Sequence, residues 1–422
     1  MIKYPLGPNR LKKQNTGLVV DKGWLRMRYR ERQDARLTSE AENRRARVAL
    51  VGCEEYHYPE VRQAVERGLQ LLGGLDQLVG PGERIVLKPN LLAPDPPEKC
   101  VTTHPAVFKA MAAALQRVGV KVSFGDSPAV GSTALAARRA GLRTVADELG
   151  LDWADFGRGE EVSFAEGIQN KRFTIAKGVL ESDGIISLPK LKTHGLTRMT
   201  GAIKNQFGCI PGLLKGEFHV KLPDADNFTR MLIDLNLLLK PRLYVMDGVW
   251  AMEGNGPRGG TPRHMGVLIF STDPVALDAT VCRLVNLLPE DVPMLKNAQQ
   301  MGLGTYQREN IDLLGDRWEG FAHDDFMKPH KAGISIQTPW LRNRIIPRPH
   351  IDPSRCIQCG ICIKGCPVNP AVVDWENEEK TRPPVYDYSR CIRCYCCQEM
   401  CPEAAIDLQV PWLGKVLAPL LR

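Results

Sequence analysis

Near the end of the chain the cysteines run Cys356-x-x-Cys359-x-x-Cys362-x-x-x-Cys366-Pro, and the run returns as Cys391-x-x-Cys394-x-x-Cys397-x-x-x-Cys401-Pro. A tight turn brings thiolates three residues apart onto one set of cubane corners, and a fourth arrives from farther along the chain. In the bacterial two-cluster spacing that fourth Cys serves the other cluster, and the Pro after it turns the chain away. Cys356, Cys359, Cys362 and Cys401 are therefore expected to hold one [4Fe–4S] cluster, and Cys391, Cys394, Cys397 and Cys366 the other. Paired zinc ribbons or a disulfide framework are the competing readings. Zinc sites seldom use a third evenly spaced Cys followed by Cys-Pro, and here the whole run occurs twice. Cys396 is an extra thiol inside the second run; the spacing favours Cys397 as the ligand.

The rest of the chain must position whatever these clusters serve. At 422 residues it has room for two or three domains, and 43% hydrophobic with 25% charged residues is an ordinary globular composition. No apolar run approaches the ~18 residues that span a bilayer, and residues 1–10 lack the apolar core of a secretory signal. Eight of thirteen cysteines belong to the cluster runs, leaving Cys53, Cys100, Cys209, Cys282 and Cys396 scattered, a pattern that fits a reducing cytoplasm. Thirteen Lys and Arg against five Asp and Glu in residues 1–50 account for the whole formal charge of +8. Trp24 and Tyr29 sit among those arginines, so an RNA or acidic-partner contact is one reading. A solvated, partly helical extension is the plainer one, and a nucleic-acid partner is not expected.

From about residue 47 short β-branched runs alternate with amphipathic stretches. This pattern predicts an α/β fold, an open and mostly parallel sheet with helices on both faces. Strands are expected at 47–52, 84–87, 120–124, 184–188, 242–246, 265–270 and 311–314. Helices are expected at 58–72, 104–118 (capped by Thr102 or Thr103), 224–239 and 274–286. The implied organisation is a basic extension (1–46), the α/β domain (47–315), a linker or wrap (316–346), a small α+β ferredoxin-like unit (347–408) and a tail (409–422). The tail is apolar with interspersed Lys and Arg, suited to docking on the body or to touching a membrane surface.

In an open α/β sheet, ligands bind beyond the carboxyl ends of the strands. The residues following the expected strands are polar and collect on that edge. Lys88, Lys190, Lys192 and Lys204 suggest a place where negative charge is held, and Lys190, Lys192 and His194 alternate on one side of an extended backbone. His104, His194 or Asp126 would move a proton. Asp247, Glu253, Gly254, Gly256, Arg258 and Asp273 complete the set as substrate contacts, although Asp273 also reads as a helix cap and Asp126 as a turn residue. Gly254-x-Gly256-x-x-Gly259 matches the dinucleotide fingerprint but leads into another strand rather than a helix, so a nicotinamide site is rejected there. With Arg258 and Arg263 the loop can still wrap an anion. No Gly-x-x-x-x-Gly-Lys-Ser/Thr run occurs. Residues 199–212 read as a lid or site helix, and Cys209 within them as a structural thiol rather than a nucleophile.

Several words of this sequence occur together elsewhere. Leu87-Lys88-Pro89-Asn90, Thr103-His104-Pro105, Gly125-Asp126-Ser127-Pro128 and Leu188-Pro189-Lys190-Leu191-Lys192-Thr193-His194 are four of them. Gly201-Ala202-Ile203-Lys204-Asn205, Asp247-Gly248 with Glu253-Gly254-x-Gly256-Pro257, and Asp273-Pro274-Val275-Ala276-Leu277-Asp278 are the others. As a set they resemble the domain-of-unknown-function family 362, often joined to a C-terminal two-cluster ferredoxin domain. The resemblance covers residues 47–407 and implies an iron–sulfur protein associated with redox chemistry, without a settled reaction.

Taken together, these readings predict an iron–sulfur oxidoreductase. It would pass electrons from a partner protein through two [4Fe–4S] clusters to an anionic small molecule at the strand ends. A flavin is compatible with that chemistry, although no motif asks for one. The alternative is a non-catalytic electron-transfer or redox-sensing binding module.

Overall fold

The computed structural model describes residues 45–128, 131–212, 214–329, 336 and 338–417. The basic extension, with Trp24 and Tyr29, lies outside the described residues apart from its last two positions.

The principal strands of the large domain's main sheet are β1 (Ala46–Gly52), β2 (Arg84–Pro89), β3 (Lys121–Phe124), β4 (Asp152–Trp153), β5 (Gly184–Leu188), β6 (Lys190–His194), β7 (Leu243–Glu253), β8 (Thr261–Ser271) and β9 (Ile311–Gly315). They form one sheet in the order β9-β1-β8-β7-β5-β2-β3-β4, with β6 added beside β7. Most neighbours are parallel, and β8 is antiparallel to both β1 and β7. The sheet is therefore open and mostly parallel, as the alternation of elements implies.

Side chains alternate across it, as the two-residue period of a strand requires. Val86 packs on one face while its neighbours Ile85 and Leu87 pack on the other; Val48 and Leu50 likewise oppose Ala49 and Val51. Helices α1 (Tyr58–Leu71) and α2 (Pro105–Arg117) cover one face. The other face carries α3 (Gly201–Asn205), α4 (Leu214–Lys221), α5 (Ala225–Leu239) and α6 (Pro274–Leu284). In α5 the buried Phe228, Met231, Leu232, Leu235 and Leu239 recur three and four residues apart, one helical stripe against the sheet.

One helix start differs in detail from expectation, and another keeps to it. Neither Thr102 nor Thr103 caps α2. Thr103 Oγ1 is engaged by the Leu188 carbonyl at 2.6 Å and by the Asn90 N–H at 2.8 Å, so His104 Nδ1 accepts the Ala106 N–H at 3.2 Å instead. At α6 the cap is Asp273, whose Oδ1 accepts from Val275 and Ala276.

Residues 316–329 form a wrap. His323 N–H donates to the Leu284 carbonyl, Gly254 N–H donates to the Met327 carbonyl, and Phe321 and Phe326 are buried beneath. Helix α7 (Pro339–Ile345) then leads into the small domain, whose ends pair antiparallel as β10 (Arg348–Ile351) and β11 (Ile406–Gln409). Between them lies α8 (Cys396–Met400), and after them α9 (Trp412–Leu417) packs on α7.

Candidate functional site

The two cysteine runs fold alike. In each C-x-x-C spacer a residue takes the left-handed conformation, at Gln358 and Gly360 in the first run and at Arg393 and Tyr395 in the second. A left-handed residue beside right-handed ones gathers successive backbone N–H groups into an anion-receiving concavity. Cys356, Cys359, Cys362 and Cys401 line one small cavity, walled by Ile351, Ile361 and Ile406. Cys366, Cys391, Cys394 and Cys397 line another, walled by Val372, Val373 and Tyr386. Two hydrogen bonds already reach sulfur, from Ala405 N–H to Cys401 Sγ and from the Tyr386 hydroxyl to Cys397 Sγ, both at 3.3 Å. Donors to sulfur favour the thiolate form that iron requires. Among the described residues no three metal-ligating side chains converge on a single ion, and all thirteen cysteines are free of disulfides. Apolar walls, four thiols each and sulfur-directed donors fit two iron–sulfur cubanes. Cys359 is exposed, whereas Cys391, Cys394 and Cys397 are buried.

Between the small domain and the strand ends lies a cleft of about 730 Å³. The large domain contributes Asn90, Asp126, Ser127, Lys192, Thr200, Lys204, Asn205, Lys215 and His219, and the small domain Ile361, Cys366, Pro367, Glu399 and Met400. Cys366 belongs both to this cleft and to the second four-cysteine cavity.

Of the charges expected here, some are free to meet a ligand and some are not. Lys88 is fully buried with its Nζ 3.0 Å from Asp126 Oδ1 and also donates to the Pro89 carbonyl and Asn205 Oδ1. It lies behind the cleft wall and orders Asp126, whose other oxygen accepts the Leu91 N–H. Lys192 lines the cleft; burial first, then Lys204 beside it, push it down to about 7. Lys215, unforeseen from the sequence, donates to Ser127 Oγ at 2.7 Å and to the Ile210 carbonyl at 3.0 Å, and burial lowers it to about 8. Lys204 is half-buried on α3. Asn90 Oδ1, Thr200 Oγ1 and His219 Nδ1 of the cleft have no hydrogen-bond partner among the described residues, and Glu399 Oε1 has only its contact with His194. Buried polar atoms are normally satisfied, so these are positions that a water or a bound polar group would complete.

Segment 199–212 is largely buried, contributes Thr200, Lys204 and Asn205 to the cleft lining, and is fixed from behind. Asp278 of α6 accepts the Ala202 and Ile203 N–H groups at 2.6 and 3.1 Å, capping α3. Cys209 is buried, and burial pushes its thiol up to about 12, which suits a structural role.

The remaining residues go elsewhere. Lys190 Nζ lies 2.9 Å from Asp247 Oδ2 and 2.7 Å from the Tyr56 hydroxyl, which itself donates to Asp247 Oδ1. Asp247 also accepts the His104 N–H, and the His104 ring stacks on Tyr56 with centroids 3.5 Å apart. This closed cluster does not line the cleft, and burial lowers His104 to about 4. It is neutral near pH 7, which corrects the expectation of a proton donor there. His194 is likewise displaced from that role. Its Nδ1 accepts the Leu196 N–H, and its Nε2 stands 2.8 Å from Glu399 Oε1. Burial holds it down to about 4.

The Gly-rich loop is a latch between domains rather than an anion wrap. Arg258 donates to both Asp95 oxygens and to the Met400 carbonyl. Asn255 donates to the Ile406 carbonyl and Asp407, and Gln398 donates to the Asn255 and Gly256 carbonyls. Glu253 receives the Met327 N–H, Gly254 pairs with Met327, and Asp273 is the α6 cap, so none of the three meets the cleft. Arg263 pairs with Asp325.

A strand-end cleft closed by a cysteine-rich lid defines a class of two-domain iron–sulfur protein, and comparison with known proteins narrows it. Residues 346–405 match the 4Fe-4S dicluster domain, and residues 85–283 match the family described as Domain of unknown function (DUF362). Over 280 residues the chain is 35% identical to the thylakoid-associated protein sll1697 of Synechocystis sp., covering 64% of this chain and 87% of the relative. The chain belongs to the DUF362 family, and its C-terminal unit is a 4Fe–4S dicluster domain of the electron-transfer type. An 86-residue stretch is 30% identical to NAD(P)H-quinone oxidoreductase subunit I of Synechococcus sp. (strain CC9902), 19% of this chain and 40% of that one. The lactate racemase apoprotein from Thermoanaerobacterium thermosaccharolyticum aligns with a TM-score of 0.38 at 14% identity, over 58% of this chain and 57% of that one, too loosely to carry an argument. Among the described residues no helix is long and apolar enough to cross a membrane.

Proposed function

We propose that the protein is an oxidoreductase that delivers electrons to an anionic organic substrate held in the interdomain cleft. One observation carries this reading: Cys366 lines both a four-cysteine cavity and the cleft. Cys366, Cys391, Cys394 and Cys397 would hold the cluster beside the substrate, and Cys356, Cys359, Cys362 and Cys401 the one nearer the surface. Bound clusters supply electrons singly, two between them, as many as saturating one double bond requires along with two protons.

The chain's own part is binding and proton supply. Lys192, Lys204 and Lys215 attract the anionic group, and the apolar wall of Ile361, Pro367 and Met400 takes the carbon body. A volume of about 730 Å³ is ordinary for a small-molecule site. Lys192, titrating near neutrality, holds one transferable proton at Nζ inside the cleft, and solvent water entering the cleft supplies the second. The side of the exposed Cys359 is where a protein electron donor meets the chain.

The test reduces the cluster-loaded protein anaerobically with dithionite and mixes it with a panel of unsaturated and aromatic carboxylates and of phosphate esters. Accelerated reoxidation with a new product, two electrons more reduced than the compound added, supports the enzyme. If compounds bind and shift the cluster potential but none is converted, the binding-module reading replaces it.

A further inference from the structure

Helices α7 and α9 lie together on the small domain, away from the residues assigned to the cleft. Gly414 makes their packing close, since a Cβ there would stand 2.2 Å from the Ile345 carbonyl oxygen. Most large apolar side chains of the molecule are buried, yet this pair exposes Trp340 (61%), Trp412 (71%) and Val416 (58%). Trp412 is the most exposed large hydrophobic residue among those described. Arg344 sets its guanidinium 4.0 Å above the Trp340 ring, and Lys415 is exposed on α9 between Trp412 and Val416. No Asp or Glu occurs from 338 to 351 or from 408 to 422, while Arg342, Arg344, Arg348, Lys415 and Arg422 do. Helix α7 is anchored from behind, with Arg342 donating to the Ser389 carbonyl and Arg393 to Asn343, so it is held to the cluster domain with its tryptophan outward.

Tryptophans with an apolar body and a polar N–H settle at the headgroup level of a bilayer, and neighbouring cations add attraction to anionic lipid. We infer that the α7–α9 face docks the protein on the surface of a membrane containing anionic lipid. Trp340, Trp412 and Val416 enter the interface, and Arg344 and Lys415 meet the headgroups. The complementarity is to a negatively charged, apolar-backed surface, which a bilayer supplies without a shaped pocket. The protein is thereby peripheral, its dicluster domain held beside the membrane.

The experiment is flotation of the full, cluster-loaded chain with vesicles of phosphatidylcholine alone or mixed with phosphatidylglycerol. Binding is expected only with the anionic vesicles, weakening as salt is raised. Two variants separate the contributions, Trp340→Ser with Trp412→Ser, and Arg344→Glu with Lys415→Glu. Each should lower partitioning at least about tenfold while the cluster absorbance stays that of the parent. Vesicle binding that is absent, or unchanged in both variants, overturns the proposal. So does concentration-dependent self-association that the tryptophan variant abolishes, since the face then belongs to a second copy of the chain.

Discussion

Lys88 Nζ and Asp126 Oδ1 stand 3.0 Å apart, Lys88 fully buried behind the cleft wall and Asp126 nearly buried within it. Breaking such a pair leaves one buried charge without its partner, which costs about 3–5 kcal/mol. Asp126→Asn should lower unfolding stability in urea by that order. Replacing both residues, Lys88→Met with Asp126→Leu, should recover most of it. A single substitution costing under about 1 kcal/mol would show that the pair does not hold the wall.

Gly208 touches the same pair. A Cβ there would lie 1.8 Å from Asp126 Oδ1 and 2.9 Å from Lys88 Nζ. Gly208→Ala should therefore displace the carboxylate and weaken binding of any cleft ligand, while Gly212→Ala would meet no atom and serves as a spatial control, though its positive φ carries its own strain. Calorimetric titration with the anion identified as substrate compares the two; equal affinities for Gly208→Ala and the parent would contradict the arrangement.

Lys192 sets a pH dependence. Its folded value of about 7 lies below the ordinary 10.5, so the protonated acid is lost as pH rises through 7, and kcat/KM should fall over that range. Stability moves the other way. Between pH 7 and 10.5 the unfolded chain binds a proton that the folded one does not, so unfolding free energy rises with pH across that window. Lys192→Met should remove both trends, read from a pH–rate profile and from urea unfolding at several pH values.

The latch at Arg258 couples the domains. It joins Asp95 of the large domain to the Met400 carbonyl, one residue from Cys401. Charge-assisted bonds of this kind are worth about 1.5–3 kcal/mol, so Arg258→Ala should speed amide hydrogen exchange in residues 396–409 roughly tenfold or more. Exchange confined to its original rate would mean that the domains are held by other contacts.

Much of the fold was legible because it repeats. The strands at 46–52, 84–89 and 184–188 and the helix at 225–239 begin within a residue or two of where a period of 2 or 3.6 places them. The cysteine runs were legible because ligand spacing is local. What resisted reading was direction and partnership. Lys88, Lys190 and His104 sit at the expected edge, but Asp126, Asp247 and Tyr56 come from distant segments and engage them first. Arg258 and Gly256 carry an anion-loop pattern, yet the surface they meet is another domain of the same chain. Lys215 and His219 lie on a short helix without an apolar stripe, and Glu399 is hidden inside a cysteine spacer. Nothing in their local sequence marks them as cleft residues.

The most direct measurement is single-turnover reoxidation of dithionite-reduced protein by its anionic substrate, comparing the parent with Lys204→Met/Lys215→Met. Substrate-driven reoxidation should drop at least about a hundredfold in the variant, since two cations facing the anion are gone, while reduction by dithionite keeps its rate. Reoxidation as fast in the variant as in the parent would place electron delivery outside the cleft and contradict the account.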